Sequence, residues 1–230
     1  AALAAARMGL KTACLTLRLD RIGHLPCNCS IGGPGKGPIA REVDALGGQM
    51  ALATDQTLTH IRRVGTSKGP AVQTLRAQVC KHDYPLFMQR VMASHPNLTL
   101  LEGQATWIHQ TGGRVTGLDW VPTGESDVQK IACQSVVLTT GTFLNGLCHM
   151  GDSQTVAARH GDQAVSSLSL FLIEIGVRIR RFKTGTTPRI RLSSIQVGHT
   201  TLMPSETDCG PLSFRNDAFS PKRELLPTWI

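Results

Sequence analysis

The stretch that decides the fold runs from residue 27 to residue 38 and reads Cys27-Asn28-Cys29-Ser30-Ile31-Gly32-Gly33-Pro34-Gly35-Lys36-Gly37-Pro38. Its last seven residues contain four glycines and two prolines. Glycine loses the most conformational freedom on ordering and proline lacks a backbone N–H, so this composition disfavours a helix or a central strand. We therefore predict a loop whose backbone N–H groups can meet an anionic ligand, with Lys36 adding a positive charge.

Cys27 lies at the entrance of the predicted loop. A thiol beside a concave set of amides and a cation is expected to ionise more readily than a free cysteine, and the thiolate is the nucleophilic form. The alternative is an ordinary small core residue, because cysteine is among the most buried residue types. Residue types alone leave both interpretations open.

The composition is that of a globular protein with an excess of positive charge. The 230 residues suffice for one good-sized domain, or for one domain and part of another. Hydrophobic residues make up 41%, and no apolar run is long enough to span a bilayer. Lysine and arginine outnumber aspartate and glutamate by 24 to 16, and the resulting net charge of +8 favours a polyanionic partner. Charge alone does not identify that partner, since many basic proteins bind no nucleic acid.

The cysteine pattern argues against a disulfide framework and against a metal site. The number of cysteines is odd, none forms a C-x-x-C pair, and Cys27 and Cys29 are too close for an ordinary zinc-binding pair. We expect a reducing compartment and no bound metal. The seven cysteines are Cys14, Cys27, Cys29, Cys80, Cys133, Cys148 and Cys209.

The first residues predict a helix followed by a strand. Residues 1–8 are rich in alanine, Gly9 can end the helix, and residues 11–17 have the pattern of a buried strand. This order is the second half of a βαβ unit, so we expect the first strand and its G-x-G-x-x-G turn to be missing. The stretch Gly35–Ala40 imitates that fingerprint, but no strand precedes it and Pro38 removes an amide that a phosphate would need.

The rest of the chain alternates between strand and helix patterns. Thr111-Gly112-Gly113 is typical of a hairpin turn, and Thr140-Gly141-Thr142 is a flexible turn at which backbone can approach a ligand. We predict an extended segment over 58–64, and helical structure over 74–94 that Pro85 either kinks or divides into two shorter helices. Further predictions are hairpin strands over 104–110 and 114–121, a strand over 131–139, a helix over 164–175 ended by Gly176, and an edge strand over 177–182.

Four ordered motifs carry a family resemblance. The central stretch, continued by Arg41-Glu42-Val43-Asp44-Ala45-Leu46-Gly47-Gly48, closely resembles the MnmG family (also called GidA), which consists of FAD-dependent tRNA wobble-uridine modification enzymes. The other motifs are residues 67–72 with 75–78, residues 136–144, and Phe182-Lys183-Thr184-Gly185-Thr186-Thr187-Pro188-Arg189-Ile190. They occur in the family's order and cover most of residues 1–192.

The resemblance implies an α/β fold. We expect a Rossmann-like FAD-binding domain of the glutathione-reductase type that lacks its first strand, with the start of an inserted second domain. Residues 1–192 form the partial FAD-binding domain in this interpretation. Residues 193–230, which are rich in Ser, Thr and Pro, begin the inserted domain.

The resemblance also implies a reaction. Enzymes of this family install a (carboxymethyl)aminomethyl group at C5 of the tRNA wobble uridine, using FAD, NADH and methylene-tetrahydrofolate as the carbon donor. The cysteine that matches Cys27 is a catalytic thiol there. Uracil C5 is a poor nucleophile, and a thiolate that adds at C6 generates an enolate able to attack an electrophilic one-carbon unit. The expected partners are tRNA, the GTPase MnmE and a second copy in a homodimer, with no membrane; the expected location is the bacterial cytoplasm, or else a mitochondrion or plastid.

Matching positions give the expected binding residues. The turn at Thr140-Gly141-Thr142 resembles the second dinucleotide contact of two-domain FAD folds, and Ala105 matches a residue that lies against the adenine. Cofactor contacts are expected from Ala105, Thr140, Gly141, Thr142, Gly32, Gly33, Lys183 and Gly185, and RNA or phosphate contacts from Lys36, Arg41, Lys68, Arg76 and Arg189. Arg41 could equally pair with Asp44, one helical turn on.

Several positions depart from the family pattern. Thr187 stands where the family usually has a proline, which is expected to loosen the turn. Ala157 and Ala158 replace glycines before the partly kept loop Arg159-His160-Gly161-Asp162, and Thr228 stands where the family has a second functional cysteine. Two alternatives therefore stay open: a non-catalytic tRNA-binding remnant, and the related folate- and FAD-dependent tRNA uridine-54 methyltransferase.

Overall fold

The computed structural model describes residues 1–159 and 161–230, which divide into two compact units. Unit 1 comprises Ala1, Ala13–Leu19 and Thr99–Lys183, and unit 2 comprises Ala2–Thr12, Asp20–Leu98 and Thr184–Ile230. The helices are α1 Ala2–Arg7, α2 Gly33–Ala45, α3 Met50–Thr57, α4 Asp83–Ala93 and α5 Ser167–Glu174. The strands are β1 Thr12–Thr16, β2 Ser30–Gly32, β3 Leu58–Val64, β4 Thr74–Val79, β5 Leu98–Thr111, β6 Arg114–Pro122, β7 Gln129–Ala132, β8 Cys148–Met150, β9 Ser153–Thr155, β10 Leu202–Met203 and β11 Thr228–Trp229.

Unit 2 is built on a three-stranded antiparallel sheet in the order β2-β4-β3. Ile31, Ala77 and Ile61 are register partners across the three strands, and all three are buried. Around this row packs an apolar core that includes the fully buried Leu212 from the carboxyl-terminal segment. Burial of this apolar surface is the main stabilising contribution to unit 2.

Unit 1 is built on a four-stranded sheet in the order β1-β5-β6-β7. Strands β5 and β6 form the predicted hairpin, in which Gly112 and Gly113 occupy the turn with φ of 57° and 76°. A two-residue turn of this kind needs positive φ at both positions, which glycine adopts without steric cost. Helix α5 packs on the sheet through Phe171, whose ring lies edge-on to that of Trp107 with the centroids 5.3 Å apart.

Much of the predicted secondary structure is confirmed. The structure contains α1, β1, β3, the β5–β6 hairpin and α5, and the chain is a mixed α/β protein as expected. Gly176 follows α5 with φ of 85°, and its N–H donates to the Ile173 carbonyl, so it ends the helix as predicted. The domain boundary at residue 192 stays a prediction. No helix in the described ranges is long and apolar enough to cross a membrane.

The prediction of a loop over residues 32–38 is wrong, because α2 begins at Gly33. Its buried residues, Gly33, Gly37, Ala40 and Asp44, are spaced as one helical face. A Cβ on Gly37 would lie 2.2 Å from Oγ1 of Thr74, so the missing side chain is what lets this face meet β4. Pro34 lies in the first helical turn, where a backbone N–H has no helical partner. Tertiary packing thus overrides a composition that disfavours helix.

Three further predictions are wrong in part. Residues 74–79 form strand β4 instead of a helix, and only the second half of the predicted helix, α4, is helical. Pro85 is the third residue of α4, where its missing N–H breaks no helical bond, so it causes no kink. The strand predicted over 131–139 is present only as the end of β7, which stops at Ala132. The edge strand predicted over 177–182 is not found, because an extended segment becomes a strand only beside a hydrogen-bonded neighbour.

Candidate functional site

Cys27 is half-buried in unit 2, three residues before β2. Its Sγ lies 3.4 Å from Oγ1 of Thr186. Its carbonyl oxygen accepts hydrogen bonds from the Thr187 hydroxyl, at 3.1 Å, and from the Arg189 guanidinium. The candidate thiol is therefore held by residues of the 182–190 motif, about 160 positions along the chain.

Arg189 connects the 182–190 motif to the segment that precedes Cys27 through hydrogen bonds. Its Nη1 donates to the Thr187 carbonyl at 2.8 Å and to the Thr187 hydroxyl at 2.7 Å, and its Nη2 donates to the Pro26 carbonyl at 2.8 Å. The expectation that threonine at position 187 loosens the turn stays a prediction; in the structure the Thr187 side chain makes two hydrogen bonds. A proline has no side-chain hydroxyl, whereas Thr187 both donates to Cys27 and accepts from Arg189.

Two of the predicted phosphate-binding cations converge on Ser30 at the start of β2. Nζ of Lys36 donates to the Ser30 carbonyl at 2.7 Å, and Nη2 of Arg76 donates to the Ser30 hydroxyl at 3.3 Å. Burial, and after it the charge of Arg76, lowers the pKa of Lys36. An anion placed here would relieve the repulsion between the two cations.

The other predicted cations lie apart from Ser30. Arg41 stacks over Phe214, with its guanidinium carbon 4.1 Å from the ring centroid, and donates to the Pro211 carbonyl at 3.4 Å. Pairing of Arg41 with Asp44, the alternative for this residue, is not found; Asp44 pairs with Arg215 at 3.2 Å instead. Lys68 is exposed in a short 3₁₀ turn at Thr66–Lys68.

The predicted cofactor residues are distributed over both units. In unit 1, residues 140–142 form a turn closed by a hydrogen bond from the Phe143 N–H to the Thr140 carbonyl at 3.1 Å, and Gly141 has φ of 56°. Ala105 lies in β5, where its carbonyl accepts from the Ser167 hydroxyl at 3.4 Å. The members in unit 1 are Ala105, Thr140, Gly141, Thr142 and Lys183, and those in unit 2 are Gly32, Gly33 and Gly185.

The glycines differ in the space around them. A Cβ on Gly141 or Gly185 would meet no atom within 4 Å, and both residues are exposed, so a ligand can approach the backbone at these two positions; Gly33 is buried at the start of α2. A Cβ on Gly32 would lie 2.3 Å from the Leu75 carbonyl oxygen, so at this position the missing side chain is already required by strand β4. The open turn at Gly141 fits a contact between backbone and a dinucleotide.

Sequence reasoning missed two buried aspartates of unit 2. Asp44 is 1% exposed and Asp55 is 8% exposed. The N–H groups of Leu212 and Ser213 each donate to Asp55 at 2.9 Å. Burial raises the pKa of Asp55, and the hydrogen bonds from the Ser213 and Leu212 N–H groups oppose that rise. The sequence feature that could have indicated a buried aspartate is its position between apolar residues, as in Val43-Asp44-Ala45.

His160, part of the partly kept loop 159–162, lies outside the described residues.

Comparison with known proteins identifies relatives along the whole chain. The model of the family described as "Glucose inhibited division protein A" matches residues 1–230. The tRNA uridine 5-carboxymethylaminomethyl modification enzyme MnmG of Myxococcus xanthus is 44% identical over 215 residues, which are 94% of this chain and 34% of that protein. The enzyme of the same name from Bacillus licheniformis is 41% identical over 230 residues, covering 100% of this chain and 36% of that protein.

A solved structure gives the same result for the fold. The crystal structure of Aquifex aeolicus GidA superposes with a TM-score of 0.89 at 36% identity, covering 99% of this chain and 38% of that one. The predicted α/β class with a Rossmann-like FAD-binding region is thereby confirmed. This chain spans about a third of the length of the curated relatives that it matches. On its sequence and its fold, the chain belongs to the glucose inhibited division protein A family, MnmG.

Proposed function

We propose that this chain forms the part of a tRNA wobble-uridine modification enzyme that carries the catalytic thiol, Cys27. The observation that carries the proposal is the placement of Cys27, whose thiol and carbonyl contact the threonine pair and Arg189 of the 182–190 motif. Two separate motifs of the family resemblance thus meet at one thiol. The relatives from M. xanthus and B. licheniformis are tRNA uridine 5-carboxymethylaminomethyl modification enzymes, which supports the same activity.

The chemistry proposed for Cys27 is transient addition to the uracil ring. The thiolate forms a bond to C6, which turns C5 into an enolate carbon that attacks the methylene carbon of methylene-tetrahydrofolate, the proposed carbon donor. Loss of the C5 proton then breaks the bond between this carbon and the folate nitrogen, so that tetrahydrofolate leaves and an exocyclic methylene remains on C5. An amine adds to this methylene, and the thiolate leaves from C6 and restores the ring. These steps need no net reductant, and NADH would serve to reduce FAD when the flavin is bound.

In unit 1, FAD would be held mainly by backbone, with Lys183 as the charged side chain: we assign it the open turn Thr140–Thr142, Ala105 and Lys183. Gly32, Gly33 and Gly185 are candidate contacts considered separately within unit 2. Support for the assignment comes from the free space above the exposed Gly141 and Gly185. Backbone contacts tolerate side-chain variation, because N–H and C=O groups are present at every such residue. When bound, FAD supplies redox chemistry.

Lys36 and Arg76 are proposed to bind tRNA phosphate. Their convergence on Ser30 gives two adjacent cations, and the chain carries a net charge of +8. Lys68 and Arg189 are further candidates on exposed segments, and Arg41 is a weaker one because it already stacks on Phe214. Phosphate contacts of this kind orient an RNA without reading its sequence.

The remaining assignments follow from the family. We propose the GTPase MnmE as a partner, assembly as a homodimer, and action in the bacterial cytoplasm. Residues 193–230 are proposed to begin an inserted domain.

A second candidate function is non-catalytic tRNA binding. It rests on Thr228, which stands where the family has its second functional cysteine and lies in β11, paired with Met203 of β10. The hydroxyl of a threonine does not ionise near neutral pH, so it cannot replace a thiolate as a nucleophile. Binding experiments do not separate the two candidates, because both predict an affinity for tRNA.

Single-turnover chemistry separates them. The chain is mixed with FAD, passed over gel filtration, and the flavin absorbance of the protein peak is measured. It is then incubated with NADH, methylene-tetrahydrofolate, an ammonium salt as the amine, the GTPase partner with GTP, and an unmodified tRNA, and the mass of the wobble nucleoside is recorded. Where the protein peak retains flavin, we expect a mass gain that Cys27→Ser abolishes while Cys133→Ser does not. Tight tRNA binding without any mass gain would favour the non-catalytic candidate.

The salt dependence of tRNA binding tests the phosphate assignment. Each phosphate contact contributes about one unit to the slope of log affinity against log salt. We expect Lys36→Gln and Arg76→Gln each to reduce that slope by nearly one unit, measured by fluorescence anisotropy. Lys130→Gln, at an exposed position of β7 in unit 1, is the matched control and should leave the slope unchanged.

A further inference from the structure

We propose that Thr186, Thr187 and Arg189 form a positioning clamp for Cys27, and that the Thr186 hydroxyl supports its thiolate. The catalytic role of the clamp rests on the proposed function. The contacts that form the clamp lie within unit 2 and do not depend on that function. Cys27 and the three clamp residues all belong to that unit.

The backbone part of the clamp comes from Arg189 and Thr187. The guanidinium of Arg189 donates to the carbonyl oxygens of both Pro26 and Cys27, which fixes the two peptide planes on either side of the Cys27 Cα. The Thr187 hydroxyl donates to the same Cys27 carbonyl at 3.1 Å and accepts from Nη1 of Arg189 at 2.7 Å. The planar fork of an arginine suits such paired contacts, which a lysine cannot reproduce. With its backbone fixed, the thiol direction depends on one side-chain torsion.

The side-chain part of the clamp is Thr186. Its Oγ1 lies 3.4 Å from the Cys27 Sγ, and in the thiol form either group can donate the hydrogen bond. In the thiolate form only the Thr186 hydroxyl carries a proton, so it donates to the charged sulfur. Hydrogen bonds to ionised groups are stronger than neutral ones, so this contact holds the reactive sulfur in one direction.

These contacts favour a positioning role for Arg189 over a phosphate contact. Both of its terminal nitrogens already donate to oxygens of the loop and the turn, at Pro26, Cys27 and Thr187. A phosphate would have to compete with these bonds. The proline that the family usually has at the position of Thr187 lacks a hydroxyl and could not make these two contacts.

Alkylation of Cys27 tests the clamp without tRNA, flavin or partner. The full chain is treated with iodoacetamide over a series of pH values, and the rate at Cys27 is read from its peptide by mass spectrometry. For Thr186→Val we expect the rate at Cys27 to fall about three- to tenfold, because the sulfur loses the hydroxyl that holds it in one direction. Thr186→Ser, which keeps the hydroxyl, should restore the rate.

Arg189→Lys and Thr187→Val test the backbone part in the same way. We expect both to lower the Cys27 rate, since the Thr186 hydroxyl is no longer held beside Sγ, and Thr187→Ser to restore it. Arg191→Lys, at an exposed position two residues further on, is the matched control. Alkylation of Cys133 and Cys209 in the same samples reports whether each variant keeps its fold.

An unchanged Cys27 rate for Thr186→Val, or a serine variant that does not restore the rate, would overturn the clamp. That result would leave the proposed tRNA chemistry standing. Conversely, a lowered rate that Thr186→Ser restores, in a chain that modifies no tRNA, would support the clamp while the proposed function fails.

Discussion

The Ser213 hydroxyl lies 2.9 Å from both carboxylate oxygens of Asp44 and donates to that carboxylate. The two residues are 169 positions apart. The Phe214 N–H also donates to Asp44 at 2.7 Å, and the Arg215 guanidinium pairs with it at 3.2 Å. A carboxylate with no exposed side-chain surface keeps its charge at low cost only with such partners. The segment that follows Pro211 is therefore bound to α2 through a buried charge.

Asp44→Asn is expected to lower the free energy of unfolding by about 3 kcal/mol, because the amide leaves Arg215 without its counter-charge and turns an N–H donor toward other donors. The measurement is chemical denaturation followed by circular dichroism. Asp217→Asn makes the same chemical change at an exposed position and should stay within about 0.5 kcal/mol of the parent. Equal effects of the two substitutions would contradict a buried role for Asp44.

Gly32→Ala and Gly35→Ala test the start of α2. Gly32 has φ of 99°, and an added Cβ would lie 2.3 Å from the Leu75 carbonyl oxygen, so we expect a loss of stability of more than about 2 kcal/mol. Gly35 lies within the helix and its added Cβ would meet no atom within 4 Å, so alanine should stabilise by about 0.5–1 kcal/mol. Thermal melting of the two variants gives both values. A loop at these residues would show no gain for Gly35→Ala.

Phe171→Ala tests the packing of α5 on the sheet of unit 1. Phe171 is 6% exposed and its ring contacts Trp107, so truncation should cost about 3–5 kcal/mol in stability. Ile173, two residues further on the same helix, is 58% exposed, and Ile173→Ala should change stability by less than about 0.5 kcal/mol. Denaturation monitored by tryptophan fluorescence measures both variants. A similar loss at the two positions would argue against this orientation of α5.

Asp83→Asn tests the acid dependence of stability. Hydrogen bonds from His82 and then from Arg223 lower the pKa of Asp83 to about 2. Because the pKa is depressed in the folded state, the stabilisation is fully present above about pH 4 and is lost as the pH falls toward 2. The urea midpoint of Asp83→Asn should therefore vary less over this range than that of the parent chain.

The control for Asp83 is Asp127→Asn, at an exposed position in unit 1. Asp55 contributes in the opposite sense, since burial raises its pKa and the associated stabilisation is lost as the pH rises. The difference between variant and parent, rather than the total pH dependence, therefore isolates Asp83. An unchanged acid slope would show that the ion pair with Arg223 does not persist in solution.

The sequence by itself determined the features that depend on neighbouring residues. Gly112-Gly113 between two extended runs specifies a hairpin because only positive φ closes a two-residue turn, and Gly176 ends α5 for a related reason. The four ordered motifs were sufficient to recognise the family. They also placed Cys27 ahead of the glycine-rich stretch and thereby identified the candidate thiol.

Only the tertiary structure decided the features that depend on distant residues. Gly33–Pro38 is helical because small side chains meet β4, and residues 74–79 form a strand because β2 and β3 lie on either side. The partners of Asp44 and Cys27 come from segments more than 150 residues away, so the residues next to Asp44 and Cys27 in the sequence cannot predict them. Glycine and proline each raise the free energy of a helix by a local amount, and burial of the helix against a neighbouring strand outweighs that cost.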